Sequence, residues 1–591
     1  MRIRKYLLFF LSFICSHTGI EVLGQETRRP PDPSAYYCED LMITTDRQIF
    51  ITGEKVNLKL YVTACQSGKS AGLSKVAYLE LINPSNNPVI QIKMKIEGTS
   101  GFSSFILSDT LSSGNYLIRA YTAWIRNYPE DLFAYRVISV INPFKDLNKI
   151  TTSATIPVPE LNPFHPDSEK SPPNLSAGDA IKIKTHLDKD IYGTREKIRV
   201  ELSIADHGGK IDHTDLSISV IKSFLSESNL NSLTENQYSE KRNRDLSGYP
   251  AHLPEPEGEL LRGTIFNKIT FEPLNNTDIS LSIIGKKARC QFMKTNSEGE
   301  FIFVLKDLTG IEEIVIQPLN PEPSGSYVEL RHPFSDTYGS FSVPSLRMDS
   351  ATARLINNAV IAVQVNRMYE NEIPKDQPGT ITEMNNFFGD PVKSVRTVDY
   401  IELTDIREVV KEIIPEVVLF RKDRQPALKV TSSNPYQIFS NKALVLLDGV
   451  PVADIEKLLS ISARELERVE IINSRYFYAD YVFEGIISFI TKKGNLSSLE
   501  EDNSFFRQVF EGCLKTEEFY SPAYDSDSSR LSRIPDFRNT LYWNPDVTVS
   551  EGKTAEIEFY TSDEAAEYLI VAEGFTSDGR RIRSTVPLIV R

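Results

Sequence analysis

"ALVLLDGVPVADI", residues 443 to 455, decides how the chain is read. An apolar run closes on Asp448-Gly449 and reopens at once into Val450-Pro451-Val452, the pattern of a buried strand, a tight turn and a short return strand. The flanking signals point the same way. Upstream, Asp405 with Glu408 makes an N-terminal cap signature, Ile406, Val409, Val410, Ile413 and Ile414 share one helical face, and Pro415 ends the helix. Downstream, Asp454 is placed to cap a short helix burying Ile455, Leu458 and Leu459. Ser462 and Glu465 frame a capping box in "SARE", with Ile461 and Leu466 as its hydrophobic staple. The strands "RVEIIN" (468–473) and "GIISFITKKG" (485–494) complete a small α+β unit.

This unit, residues 395–495, resembles the plug domain of TonB-dependent outer-membrane receptors, in which a strand ending in Asp-Gly-Val-Pro precedes two short helices and a strand pair. The matching residues are Asp448, Gly449, Val450 and Pro451. A plugged transporter barrel needs about 22 strands of roughly 10 residues, and residues 496–591 leave no room for one. The expectation is a plug-like module that docks with an outer-membrane protein rather than a transporter. One departure stands out: receptor plugs run through small residues between their last two strands, whereas "SRYFYADYVFEG" supplies Tyr476, Phe477, Tyr478, Tyr481 and Phe483. Two readings stay open for these five, packing against a neighbouring domain or an exposed recognition patch for a partner.

The rest of the chain reads as mainly β. "TDRQIFITGEKVNLKL" (45–60) aligns without gaps with "LDKDIYGTREKIRVEL" (187–202), pairing Asp46 with Asp188, Phe50 with Tyr192 and Glu54-Lys55 with Glu196-Lys197. After each Glu-Lys, apolar residues alternate as Val56, Leu58, Leu60 and as Ile198, Val200, Leu202, the mark of half-buried strands in an antiparallel sandwich. The repeat resembles the opening of macroglobulin-like domains. "LPEPEGELLRGTIF" (253–266) with "TNSEGEFIFVL" (295–305) resembles the carboxypeptidase regulatory-like fold, which carries no catalytic residues in that family.

The expected order is therefore a signal peptide (1–24) and a macroglobulin-like sandwich (36–145), its strand around Tyr116, Ile118 and Ala120 at a sheet edge. A second such sandwich with a polar loop (178–250) and a regulatory-like sandwich (251–344) come next. A helical linker (345–394), the plug-like module (395–495) and a C-terminal macroglobulin-like sandwich (525–591) complete it. The fold class is tandem macroglobulin-like or immunoglobulin-like β-sandwiches plus one small α+β domain.

Composition narrows the function classes. A chain of 591 residues suits about four or five domains of roughly 100 to 150 residues. Net charge of −14 and the lack of a long Lys/Arg stripe exclude any strong draw toward nucleic acid. The basic start Met1 to Lys5, the apolar run Leu7 to Ile14 and Val22-Leu23-Gly24 before Gln25 read as a secretory signal, so the protein is expected in the envelope, periplasmic or surface-exposed. No later stretch is long and apolar enough for a spanning helix. In an oxidising compartment Cys38 and Cys65 could close a loop worth about 3 to 4 kcal/mol, buried free thiols being the other reading.

No catalytic, cofactor or metal constellation emerges. "SGKS" (67–70) lacks the first glycine of a phosphate-binding loop, and no serine sits in a Gly-x-Ser-x-Gly elbow. His207 and His213 flank a Gly208-Gly209 turn that reads as a solvated hairpin tip. "GCLKTEE" (512–518) lacks the Gln of a macroglobulin thioester, which makes Cys513 structural. Two functions are expected: a non-enzymatic docking module for an outer-membrane transport or assembly complex, or a macroglobulin-like protease trap with the polar loop 225–250 as bait.

Overall fold

The computed structural model describes residues 38–64, 72–145, 182–205, 212–225, 250–321, 325–338, 346, 350–369, 377–378, 385–400, 403–422, 425–433, 436–439, 441–499 and 505–591. The leader 1–24, "SGKS", Cys65, His165, His207 and the polar loop between 226 and 249 lie outside them. The described chain is mainly β and forms three sandwiches and one α+β unit, but not in the sequential order expected.

The first sandwich packs a three-stranded sheet (Glu39–Thr45, Lys55–Ala64, Ser100–Ile106) on a five-stranded one (Ile49–Ile51, Val76–Ile82, Pro88–Lys95, Gly114–Thr122, Ala134–Ile141). Gly114–Thr122 lies in the middle of its sheet, buried at all nine positions, not at the expected edge. The strand Lys55–Ala64 is not half-buried either. Asn57, Lys59, Tyr61 and Thr63, its polar-side positions, are covered as completely as Val56, Leu58 and Leu60, because a second sandwich sits on that face.

That second sandwich corrects the expected partition. Strands Lys182–Leu187, Ile191–Tyr192, Lys197–Ala205 and His213–Lys222 supply half of it, and Thr540–Ser550, Thr554–Tyr560, Glu567–Thr576 and Arg581–Val590 supply the rest. The described strands of 178–250 and of 525–591 form one domain. Its strands follow the first sandwich one for one: the first, third and sixth build the small sheet and the other five the large one in the same lateral order. In the first sandwich the fourth and fifth strands are joined by a tight turn, with Asn83 N–H donating to Asn87 O at 2.9 Å. At the same point the second carries all the chain from 223 to 539. Alternation in sequence gives each strand a buried face but does not name its partner, and this is why the halves looked independent.

The sequence repeat has a local cause. Glu54 Oε2 accepts the N–H of Ile51 at 2.7 Å, and Glu196 Oε2 accepts that of Gly193 at 2.5 Å. Each carboxylate thus turns a short strand, paired in parallel with the last strand of its sandwich, into the long strand that follows.

The inserted stretch holds the third sandwich, whose sheets are Glu300–Leu305, Glu259–Asn267, Ser326–Leu330 and Arg289–Lys294, Asp278–Ile283, Ile311–Pro318, Phe506–Glu511. The expected boundary at 344 is too early, since its seventh strand arrives after the α+β unit. That unit (Lys393–Thr491) is therefore an insertion inside an insertion. The helix expected within 345–371 forms as Ser350–Met368, yet it is no linker. Ile356, Ala359 and Val360 pack on Ile49, Ile51 and Ile141 of the first sandwich, and Arg367 donates to Thr52 O at 2.8 Å. Gly53, at φ +82°, makes room: a Cβ there would lie 1.4 Å from the Arg367 guanidinium. No helix among the described residues is long and apolar enough to cross a membrane.

Ending the chain at residue 524 removes four strands of the second sandwich and uncovers Leu216, Ile218 and Val220. Limited proteolysis should then cleave throughout 182–222 while the first sandwich stays resistant. Unchanged resistance in 182–222 would refute the split domain.

Candidate docking module and its seat

The α+β unit folds as its local signals require. Asp405 Oδ1 accepts the N–H of Glu408 at 3.0 Å, and Glu408 Oε2 returns to Thr404 N–H at 2.9 Å, capping the helix Ile406–Glu412. Asp454 caps Ile455–Leu459 through Lys457 N–H at 3.1 Å. Ser462 accepts from Arg464 rather than Glu465, because "SARE" makes a single 3-10 turn too short for a full capping box. Behind these helices a five-stranded sheet pairs Leu444–Leu447 in parallel with Tyr481–Thr491, which pairs antiparallel with Leu466–Tyr478.

Asp448 and Gly449 both take positive φ, +47° and +81°, as the two-residue turn demands. The Asp448 carboxylate is fully buried and accepts three bonds: Thr491 N–H and Thr491 Oγ1 at 2.7 Å each, and Leu496 N–H at 2.9 Å. It fixes the turn to the end of the neighbouring strand. The turn's carbonyls face the third sandwich. Asp448 O accepts from Gly285 N–H at 3.0 Å, Gly449 O from the Cys290 thiol at 2.8 Å, and Pro451 O from Gln317 Nε2 at 2.7 Å. A Cβ on Gly449 would stand 3.3 Å from Ala288 Cα and Lys287 O, so the contact needs glycine as much as the φ does. The Asp448-Gly449 turn is seated within its own chain.

The aromatic hairpin follows the same logic. Tyr476 pairs with Phe483 and Tyr478 with Tyr481, so alternation sends all four to one face. There three of them surround Phe292 of the third sandwich, with ring centroids 5.2 Å from Tyr478, 6.0 Å from Tyr481 and 4.9 Å from Phe483. Phe387 adds a fourth ring at 5.7 Å and its carbonyl accepts from Tyr476 Oη at 2.6 Å. Tyr481 Oη donates to Asp278 at 3.1 Å. Of the five aromatic candidates only Phe477 keeps its face to solvent, 68% exposed, opposite Val482 at 54%. The exposed-patch reading is thereby corrected to packing against a neighbouring domain for Tyr476, Tyr478, Tyr481 and Phe483.

Sequence reasoning missed the receiving side: Phe292, Gln317, Cys290 and Asn386, whose amide bridges Ala288 N–H and Glu470. Only the Phe387-Phe388 pair before Gly389 signalled a buried contact. Cys290 and Cys513 are free, buried thiols, each pushed up to about 12 by burial. Cys38 is disulfide-bonded, and the strand register pairs its neighbour Glu39 with Ala64, its proposed partner Cys65 being the next residue in sequence. His186, His213 and His332 are exposed and apart, and among the described residues no cluster of His, Cys, Asp or Glu could hold a metal ion.

Substitutions at three positions separate anchor from surface. Asp448→Ala strands two buried N–H groups and should cost about 3 kcal/mol in denaturant unfolding of the module, Asp448→Asn clearly less. Phe292→Ala should cost about 3 to 5 kcal/mol, while Phe477→Ala stays within about 0.5 kcal/mol. Equal effects at 292 and 477 would contradict the assigned faces.

No protein-family model and no curated protein matches the sequence. Among solved structures it is similar to a Salmonella alpha-2-macroglobulin mutant at 10% identity, covering 96% of this chain and 41% of that one with a TM-score of 0.23. It is also similar to trypsin-activated alpha-2-macroglobulin from Escherichia coli at 9% identity, 94% and 42% coverage and a TM-score of 0.23. The native E. coli protein gives 8%, 94% and 40%, again at 0.23. The chain thus spans about two fifths of the length of these macroglobulins.

Proposed function

We propose that the protein is a non-enzymatic scaffold of the Gram-negative envelope that presents its plug-like module to an outer-membrane transport or assembly complex. One observation carries this reading. The module is held at its turn, its sheet face and its hairpin by the third sandwich; Phe387 ahead of it bonds to Ala288 of that sandwich, and the strand Phe506–Glu511 after it joins the same sheet. An element fixed in this way is displayed, not free to insert into a barrel. What it offers a partner is the outer side of the hairpin, where Phe477 and Val482 stand exposed. The test is a crosslinked pull-down of the tagged full chain from outer membranes, wild type against a Phe477→Glu/Val482→Glu variant. Recovery of a barrel protein by the wild type alone supports the reading; equal recovery by both, or none by either, sinks it.

A second reading, a macroglobulin-like protease trap, draws on the split sandwich. The polar stretch 226–249 lies between the strand His213–Lys222 and the insertion. A cut there leaves two fragments clamped by the pairing of His213–Lys222 with Thr540–Ser550 and Glu567–Thr576. Brief trypsin challenge should yield fragments that co-elute on native gel filtration. Retention of active-site-labelled trypsin in that peak would favour the trap, and its absence the scaffold.

A further inference from the structure

The first and third sandwiches meet along a seam rich in buried acids. Glu255 and Glu259 of the third sandwich are 1% and 3% exposed, and Glu39 of the first is 1% exposed. Among the described residues one buried cation answers them from the facing sheet, Lys93, whose Nζ lies 2.6 Å from Glu259. Glu255 instead receives neutral donors, the Tyr78 hydroxyl at 2.9 Å across the seam and Leu260 N–H at 2.9 Å. Its own carbonyl accepts from Lys75 N–H at 2.8 Å, a backbone tie between the sandwiches. Glu39 is likewise held by hydroxyls, Thr122 at 2.5 Å and Ser74 at 3.2 Å, and its Oε1 has no hydrogen-bond partner.

Three buried carboxyls against one buried ammonium cannot all be ionised in a closed seam. Alongside lies a cavity of about 360 Å³, lined among others by Lys75, Lys95, Glu257, Glu259 and Asp307, which supplies room for water. We propose that this seam is a proton-operated latch: Glu255, buried against Tyr78 of the facing sheet, closes it as a neutral acid, and loss of that proton drives the first and third sandwiches apart.

The other groups facing Glu255 do not take over the role. Arg262, on the same strand system, is half-buried and attracts its ionised form, while Glu259 opposes it. His252 is pulled down to about 4 by burial and by Arg126 and Arg262, so it stays neutral throughout the relevant range. Cys513 stays a thiol. Burial dominates and pushes the Glu255 carboxyl from 4.5 to about 7. The sign follows. The closed seam binds the proton more tightly than the open one, so closure is undisturbed below about pH 4.5, weakens as pH rises from there to about 7, and stays weakened above. Glu259, also raised by burial, acts in the same direction.

The shift caps the pH-driven change in opening at roughly 300-fold, and about tenfold or more is expected once partial hydration is allowed for. The experiment is hydrogen exchange on the full chain at pH 5.5 and 8.0, normalised for intrinsic rates, read in peptides spanning 72–79 and 255–262. Wild type should lose about tenfold protection at pH 8.0 in both peptides, with peptides in 466–478 unchanged. Glu255→Gln, neutral at every pH, should lose most of that pH dependence, the small remainder being that of Glu259. Tyr78→Phe, which removes a donor that favours the carboxylate, should move the midpoint of opening to higher pH. Equal normalised protection in wild type, a Glu255→Gln variant that keeps the wild-type pH dependence, or an unmoved midpoint in Tyr78→Phe would each overturn the latch.

Discussion

The structure depends on the pairing of His213–Lys222 with strands from the far end of the chain. Without Thr540–Ser550 on one side and Glu567–Thr576 on the other, this strand has no sheet and Leu216, Ile218 and Val220 have no core. Lys222 marks the junction. Its N–H donates to Asn539 O at 3.2 Å and its Nζ reaches Asn539 Oδ1 at 3.0 Å, closing a loop between residues 317 apart in sequence. Closing so long a loop from a flexible chain is entropically unfavourable and slow. The nesting lowers that cost. The α+β unit is built from local contacts, the third sandwich closes around it with Phe506–Glu511, and the ends left over are already near one another.

The seams between units use different chemistry. The third sandwich and the α+β unit meet through aromatic rings and backbone carbonyls. The first and second meet through polar groups out of water: Lys59 Nζ lies 2.5 Å from Asp215 and 2.6 Å from Pro545 O, and Thr540 Oγ1 joins Asp46 to Arg47. Burial pulls the Lys59 ammonium down and pushes the Asp215 carboxyl up, so each charge is held at the expense of solvation and depends on its partner. Such a contact adds little net stability compared with an apolar one but penalises any misaligned docking. The relative placement of the two related sandwiches is set by where these charges coincide.

Local features were legible in the sequence and long-range ones were not. The caps at Asp405 and Asp454, the Asp448-Gly449 turn, the helix 350–368 and the alternation at Val56, Leu58, Leu60 and at Ile198, Val200, Leu202 follow from residues within a few positions of one another. The joining of 178–250 to 525–591 does not, because period-two alternation is the same whichever strand lies alongside. The aromatic hairpin was half legible. Its composition announced a contact, but the count of five rings concealed that turn register places four of them on one face, and nothing in "RCQFMK" marked Phe292 as their target. Lys59 was the least legible, since a lysine on the polar side of an alternating strand normally faces water.

The Lys222–Asn539 junction also has a mechanical meaning. Tension carried from the first sandwich toward the strand Arg581–Val590 passes through the sheets of the second, where the chain's departure and return are bonded side by side. In chain connectivity the third sandwich and the α+β unit leave and return at that junction, apart from their contacts with the first sandwich. Pulling on the backbone would strain the eight strands of the second sandwich before it stretched any strand of the α+β unit, so that unit rides unloaded on a chain under force.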